Sequence, residues 1–145
     1  MKSIYFLFFS LIICDAIKAQ KSLLERVWYN AEKTSKIEIF KTHDGDFYGR
    51  IVWLKEPNDA NGKAKLDKEN KDEKLRNQSI MGLLILKRFK KTNNPNEFDD
   101  GTVYDPNNGK TYCGKITLNG KEIKLRGHIC GLSWLGRSST WILAE

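Results

Sequence analysis

Two cysteines and two histidines are the soft metal-ligand candidates beyond the first twenty residues: Cys113, Cys130, His43 and His128. Neither a C-x-x-C nor an H-E-x-x-H spacing is present, and a structural zinc site needs a fourth clustered ligand. A Cys113–His128 nucleophile pair would have only Arg126 nearby to favour the thiolate. We therefore predict no bound metal, no cofactor and no catalytic residue.

A second set of side chains carries more charge and hydrogen-bonding capacity than turns and strands require. Asp67 and Asn70 can order a loop and cap a helix, and residues 105–109 alone make an adequate turn. A hydrolytic site would require Asp67 or Asp105 to meet Arg126 in one cleft. The candidate ligand-binding residues are Asp67, Asn70, Tyr104, Asp105, Arg126, Arg137, Trp53 and Trp141.

The elements that must position these residues are short apolar runs separated by Gly, Asn and Asp turn signals. Many short strands with few helices predict a mainly β fold, an antiparallel up-and-down barrel with one short helix. That helix is predicted at about Lys71–Asn77, because Asn70 can cap it and Glu73 completes a capping-box spacing. Trp28 in the first strand and Trp141 in the last could close one end of the barrel under Arg126 or Arg137, which would resemble the plug that lipocalin-like barrels form near their first strand.

The first predicted hairpin requires a three-residue loop, His43-Asp44-Gly45, with Gly at the left-handed position. A two-residue loop would place the isoleucines of the two strands on opposite faces. With three residues, Ile37 faces Ile51, and the loop also pairs Glu38 with Arg50 and Phe40 with Tyr48. These are an apolar contact, an ion pair and an aromatic pair, each of which stabilises neighbouring strands.

The second predicted hairpin turns at Asn119-Gly120, which places Leu118 opposite Lys121. One face is then apolar and the other polar, as a correct register requires. The apolar face comprises Tyr112, Gly114, Ile116, Leu118, Ile123, Leu125, Gly127 and Ile129.

This register also bears on the two cysteines, which an oxidising compartment would favour as a disulfide. It places Cys113 opposite Arg126, with Cys130 four residues further along the partner strand. The Cα atoms would then lie roughly 13 Å apart, whereas a disulfide needs them within about 7 Å. We therefore predict that Cys113 and Cys130 are free thiols.

The chain of 145 residues has a net charge of +7, 40% hydrophobic and 30% charged residues, which is typical of one globular domain. Lys2 followed by an apolar stretch and Ala19 predicts a signal peptide over 1–19, with a single β-barrel domain over 20–145. The protein is then exported, to the periplasm or beyond. The alternative is lipoprotein anchoring at Cys14, for which Ile13 is a poor preceding residue.

The basic charge does not indicate nucleic-acid binding, because an exported protein rarely meets nucleic acid. The densest basic run, Lys87–Lys91, is interpreted as a solvated edge strand whose lysines oppose sheet-to-sheet pairing. No apolar stretch after the first twenty residues is long enough for a transmembrane helix. We expect a monomer.

Several motifs in order resemble the bacterial family known as domain of unknown function 2147. They are Gly49-Arg50-Ile51-Val52-Trp53-Leu54, Leu66-Asp67-x-x-Asn70, Tyr104-Asp105-Pro106-x-x-Gly109-Lys110-x-Tyr112, Arg126-Gly127, Gly136-Arg137 and Thr140-Trp141. The resemblance covers nearly all of residues 20–145 and implies a small, usually exported bacterial protein. It implies no activity. One departure is Arg26, where similar proteins tend to have Gly.

Three functions remain open at this point. The first is a non-enzymatic exported barrel that binds a small or amphiphilic ligand at its mouth. The second is an interaction module for envelope components that docks an anionic partner through the basic edge at Lys87–Lys91. The third is the hydrolase with an acidic–arginine site.

Overall fold

Within residues 21–144, eight antiparallel strands pair in chain order, and the last returns to the first to close a barrel. The computed structural model describes residues 21–144. The predicted fold class, an antiparallel up-and-down barrel, is confirmed. The strands are β1 (Val27–Tyr29), β2 (Ser35–Lys41), β3 (Phe47–Leu54), β4 (Leu84–Lys91), β5 (Glu97–Asp105), β6 (Lys110–Asn119), β7 (Glu122–Ile129) and β8 (Leu132–Leu143).

The predicted signal peptide over 1–19 and the alternative anchor at Cys14 lie outside the described residues, so both stay predictions. Within residues 21–144, no helix is long and apolar enough to cross a bilayer.

The predicted register of the first hairpin is confirmed. Ile37 pairs with Ile51 and Glu38 with Arg50, and the Arg50 guanidinium lies 2.7 Å from the Glu38 carboxylate. Gly45 has a φ of +93°, as the loop prediction required.

The second hairpin is shifted by two residues from the prediction. Asn119 pairs with Glu122, so the turn consists of Gly120 and Lys121 instead of Asn119 and Gly120. Gly120 has a φ of +61°, which suits the first central position of a type II′ turn. Because side chains alternate with a period of two, this shift leaves the predicted apolar and polar faces unchanged.

The prediction of free thiols is wrong: Cys113 and Cys130 form a disulfide, with their Cα atoms 5.1 Å apart. The two-residue shift places Cys113 opposite His128 instead of Arg126. Cys130 then lies two residues, instead of four, beyond the residue that pairs with Cys113. The pairing of β7 with β8 is also irregular between His128 and Ile129, just before Cys130. The bond occupies both thiols that a metal or a nucleophile would need.

Glycines within the strands mark places where a bulky side chain crosses the backbone. A Cβ atom at Gly101 or Gly114 would overlap the ring of Phe89. Phe89 itself is fully buried, and it points inward because Arg88 adopts a positive φ of 61° opposite a similar irregularity at Asp100. The glycines therefore let an aromatic ring fill the interior at this level of the barrel.

One end of the barrel is closed by the segment that precedes β1. Leu24 and Trp28 are 0% and 1% exposed, and the Trp28 indole Nε1 donates a hydrogen bond of 3.0 Å to the Leu24 carbonyl. Their burial seals this end, so any opening into the barrel lies at the opposite end.

The long connection between β3 and β4, residues 55–83, contains a 3₁₀ turn at Glu73–Leu75 in place of the helix predicted at Lys71–Asn77. Asp72 caps this turn by accepting a hydrogen bond from the Lys74 amide. The predicted cap, Asn70, accepts a hydrogen bond from the Asp72 amide through its side-chain oxygen and donates one from its side-chain amide to Asp67. Asn70 thus makes a local cap, but it leads to the short turn that Asp72 begins and not to a helix over 71–77.

The basic run Lys87–Lys91 is not a sheet edge, because β4 pairs with β3 on one side and β5 on the other. Barrel closure removes the unpaired edge that the prediction assumed. The side chains of Lys87, Arg88, Lys90 and Lys91 are nevertheless exposed on the outer surface.

Candidate functional site

A cavity of about 720 Å³ occupies the open end of the barrel. Its mouth is formed by the β1–β2 connection, the start of the long segment after β3, and the β5–β6 turn. The volume lies within the range of about 300–1,000 Å³ that is usual for small-molecule sites. The apolar residues of the wall are Ile37, Ile51, Leu54, Ile80, Ile85, Val103, Leu125 and Trp141.

Trp141 lines this cavity and is 6% exposed. Its indole Nε1 donates a hydrogen bond of 3.0 Å to the Ser139 hydroxyl, another residue of the wall. The polar atom of the ring is therefore satisfied within the protein, and the ring presents apolar surface to the cavity.

Arg137 lines both the main cavity and a second cavity of about 490 Å³. Asp105, Tyr112 and Gly127 also line both cavities. Within residues 21–144, Arg137 forms no ion pair with a carboxylate. Asp105 lies beyond ion-pair distance of Arg137, and its carboxylate accepts hydrogen bonds from the Asn107 amide at 2.9 Å and the Asn108 side chain at 2.8 Å.

Behind the cavity wall, a buried carboxylate joins the long β3–β4 segment to β5. Asp67 is 0% exposed and accepts a hydrogen bond of 2.7 Å from the Tyr104 hydroxyl and another of 2.7 Å from the Asn70 side-chain amide. Burial and the Asp67 carboxylate raise the pKa of Tyr104 to about 12. Tyr104 therefore stays protonated at neutral pH and remains a donor to Asp67.

A glycine lets the β5–β6 turn approach the same segment. Gly109 has a φ of +65°, and a Cβ atom there would overlap the carbonyl oxygen of Glu69. This backbone contact and the Tyr104–Asp67 hydrogen bond hold the turn against residues 67–70, and so fix one side of the cavity mouth.

Two of the candidate residues lie elsewhere. Trp53 is 36% exposed and packs edge-to-face on Tyr29, with ring centroids 6.0 Å apart. Arg126 donates a hydrogen bond of 3.0 Å to the Ser133 carbonyl and lines neither cavity. The structure thus places Tyr104, Asp105, Arg137 and Trp141 on the cavity, and Asp67 and Asn70 behind it.

The sequence pattern of a family described as "uncharacterized protein conserved in bacteria (DUF2147)" matches residues 27–142. The chain belongs to this family. The resemblance drawn from the sequence motifs is therefore confirmed, and the match runs from the start of β1 to one residue before the end of β8.

One solved structure similar to this family member is that of protein HP1028 from Helicobacter pylori, which is described as belonging to the lipocalin family. The two chains are 27% identical, with a TM-score of 0.70, and the match covers 84% of this chain and 83% of that one. The lipocalin-like barrel is thereby supported by a second observation. No curated protein matches the sequence.

The structure explains why the family motifs are spaced as they are. The Asp67-x-x-Asn70 motif supplies the buried carboxylate and one of its donors, and Tyr104 in the next motif supplies the other. Gly109, in the same motif as Tyr104, lies where the backbone of the β5–β6 turn contacts the Glu69 carbonyl. These residues position the mouth of the cavity, whereas Arg137 and Trp141, from the last two motifs, line the cavity itself.

The sequence reasoning missed most of the cavity wall. Tyr112, Leu125 and Gly127 line the cavity, and all three belong to the apolar face predicted for the β6–β7 hairpin. That alternating face was the signal that could have identified them. Ile80 gave no such signal, because it lies in the irregular β3–β4 segment.

Proposed function

We propose that this protein is a non-enzymatic binding protein that holds a small anionic amphiphile in its barrel, and that it acts after export. The observation that carries the proposal is the cavity of about 720 Å³, whose buried wall is apolar and whose mouth carries polar and charged residues, with Arg137 in the wall that it shares with the second cavity. The ligand's apolar part would lie among the wall residues, and its acidic group would contact Arg137.

The interior supports an apolar occupant because its deep wall is hydrophobic. Ile37, Ile51, Ile85, Leu125 and Trp141 are each at most 7% exposed, and all of them line the cavity. Moving apolar ligand surface from water to such a wall is favourable by about 25 cal/mol per Å². A chain or ring of modest size would therefore gain substantial binding energy there.

Arg137 supports an acidic group on the ligand. Its guanidinium carries a permanent positive charge, and no carboxylate of residues 21–144 is paired with it. A ligand carboxylate or phosphate would gain a charge-assisted hydrogen bond at the edge of the apolar wall. Tyr112, which lines both cavities, adds a hydroxyl on the same side of the barrel.

Two observations favour binding over hydrolysis. The hydrolase hypothesis needs Arg126 to share a cleft with Asp67 or Asp105, but Arg126 lines neither cavity. Asp67 already accepts hydrogen bonds from Tyr104 and Asn70. The likeness to a protein described as a lipocalin also supports ligand binding. The predicted signal peptide supports action outside the cytoplasm.

Calorimetric titration with decanoate and with decanol tests the assignment of Arg137. We expect Arg137→Gln to weaken decanoate binding about tenfold or more, because hydrogen bonds to charged groups contribute about 1.5–3 kcal/mol. Decanol has the same chain without the charge, so its affinity should change less than about twofold.

Arg126→Gln is the matched control, since it removes an arginine from the same hairpin but not from the cavity. Its affinity for both ligands should equal that of the unmodified protein. If Arg137→Gln loses affinity for decanoate and for decanol equally, the assignment of Arg137 to the ligand's acidic group is refuted. Failure of the unmodified protein to bind either ligand would refute the proposed function.

A further inference from the structure

The β7–β8 hairpin ends in an exposed apolar tip, defined here as residues 129–135. Ile129, Leu132, Trp134 and Leu135 are 45%, 41%, 76% and 45% exposed. Of the ten exposed large hydrophobic residues found within 21–144, four thus fall within these seven positions. Clustered apolar exposure of this kind marks an interaction site more often than scattered single residues do.

The apolar tip is held in place by two contacts. The Cys113–Cys130 disulfide ties its base to β6, and the Arg126 guanidinium donates a hydrogen bond to the Ser133 carbonyl within it. Trp134 is therefore exposed on an anchored hairpin, and docking of the tip would not require the whole segment to become ordered first.

The charge around the apolar tip selects one kind of partner. Two cations lie against the apolar tip, since Arg126 donates to the Ser133 carbonyl and Arg137 lines the second cavity with Ile129 and Leu135. One carboxylate, Asp105, lines the same cavity, and residues 123–144 themselves contain no Asp or Glu. An exposed tryptophan among aliphatic residues and cations suits the interface of a bilayer, where the indole lies at the headgroup level and the cations meet anionic lipid.

We propose that the apolar tip docks on a bilayer surface that contains anionic phospholipid. Ile129, Leu135 and Arg137 also line the second cavity, which shares Asp105, Tyr112, Gly127 and Arg137 with the wall of the main cavity. Docking would therefore place the route into the barrel at the membrane surface. That consequence rests on the proposed ligand-binding function, but the docking does not.

Sedimentation with vesicles tests the docking. The protein, beginning at Gln20, is mixed with vesicles of phosphatidylcholine alone or with phosphatidylglycerol added. Binding should favour the anionic vesicles and weaken in high salt, because salt screens the attraction. Trp134→Ser should reduce binding to the anionic vesicles about tenfold or more.

Leu23→Ser is the control, because Leu23 is 58% exposed near the closed end of the barrel. It should bind vesicles as the unmodified protein does. Trp134→Phe should retain binding but lose much of the fluorescence quenching by brominated lipid, since the ring at the interface is kept and its strong fluorescence is removed. Circular dichroism of each variant checks that the barrel is folded.

Three results would overturn the docking proposal. The first is no binding of the unmodified protein to anionic vesicles at low salt. The second is equal binding by Trp134→Ser and Leu23→Ser. The third is a dimer in lipid-free sedimentation equilibrium that Trp134→Ser dissociates, which would assign the apolar tip to a second copy of the chain. Titration of Trp134→Ser with decanoate separates the two proposals. Trp134 does not line the main cavity, so the variant should bind decanoate as the unmodified protein does.

Discussion

Val103→Trp should abolish measurable decanoate binding while the protein stays folded. Val103 lies on β5 and lines the main cavity, so an indole there would occupy the volume assigned to the ligand's chain. The affinity for decanoate should fall at least about 100-fold, since each methylene of the ligand that is no longer buried removes about 0.8 kcal/mol of binding free energy. Titration calorimetry measures the loss.

Thr102→Trp is the matched control, because residue 102 precedes Val103 on the same strand and does not line either cavity. Alternation along β5 directs the two side chains to opposite faces. Affinity in Thr102→Trp should be unchanged. Retention of decanoate binding by a folded Val103→Trp protein would place the ligand outside the barrel.

Asp67→Ala should lower the free energy of unfolding by about 2–4 kcal/mol, because an unsatisfied buried polar group costs about 1–3 kcal/mol. The substitution removes the shared acceptor of the Tyr104 hydroxyl and the Asn70 amide. It also frees residues 67–70 from β5, which should loosen one side of the cavity mouth. Urea unfolding followed by circular dichroism measures the change.

Asp72→Ala provides the comparison within the same segment. Asp72 is exposed and caps the 3₁₀ turn through the Lys74 amide, so its loss should cost about 1 kcal/mol or less. Similar effects of the two substitutions would show that the Asp67 network contributes no more than a local cap.

The sequence was sufficient to predict the barrel because each hairpin carries its own pattern. In the first hairpin, the requirement that Ile37 and Ile51 share a face excluded a two-residue loop, and the structure has the predicted pairing. In the second, alternation predicted which residues face inward, and among these are Tyr112, Leu125 and Gly127 of the cavity wall.

The errors arose where alternation carries no information. A shift of two residues keeps every side chain on its face, so the pattern could not distinguish a turn at Asn119-Gly120 from one at Gly120-Lys121. That undetected shift produced the wrong distance between Cys113 and Cys130. The predicted helix failed for another reason, since Asn70 accepts a hydrogen bond from the Asp72 amide and Asp72 in turn caps a 3₁₀ turn of only three residues.

The candidate site was predicted in part. Residue type alone identified Tyr104, Asp105, Arg137 and Trp141, which line the cavity. Residue type could not separate Arg137 from Arg126, which donates to Ser133 instead. The predicted alternation put Arg126 on the polar face of the β6–β7 hairpin, and Arg137 is separated from it because it pairs with Gly127, which faces the cavity.

The central claim is that an amphiphile binds inside the barrel with its acidic group at Arg137. Isotope-filtered nuclear Overhauser spectra between unlabelled decanoate and labelled protein test it most directly. The claim predicts contacts from the chain to methyl groups of Ile51, Ile85 and Leu125, and contacts from the carbon next to the carboxylate to Arg137. Contacts confined to the exposed residues Leu132 and Leu135, or no contacts at saturating decanoate, would contradict it.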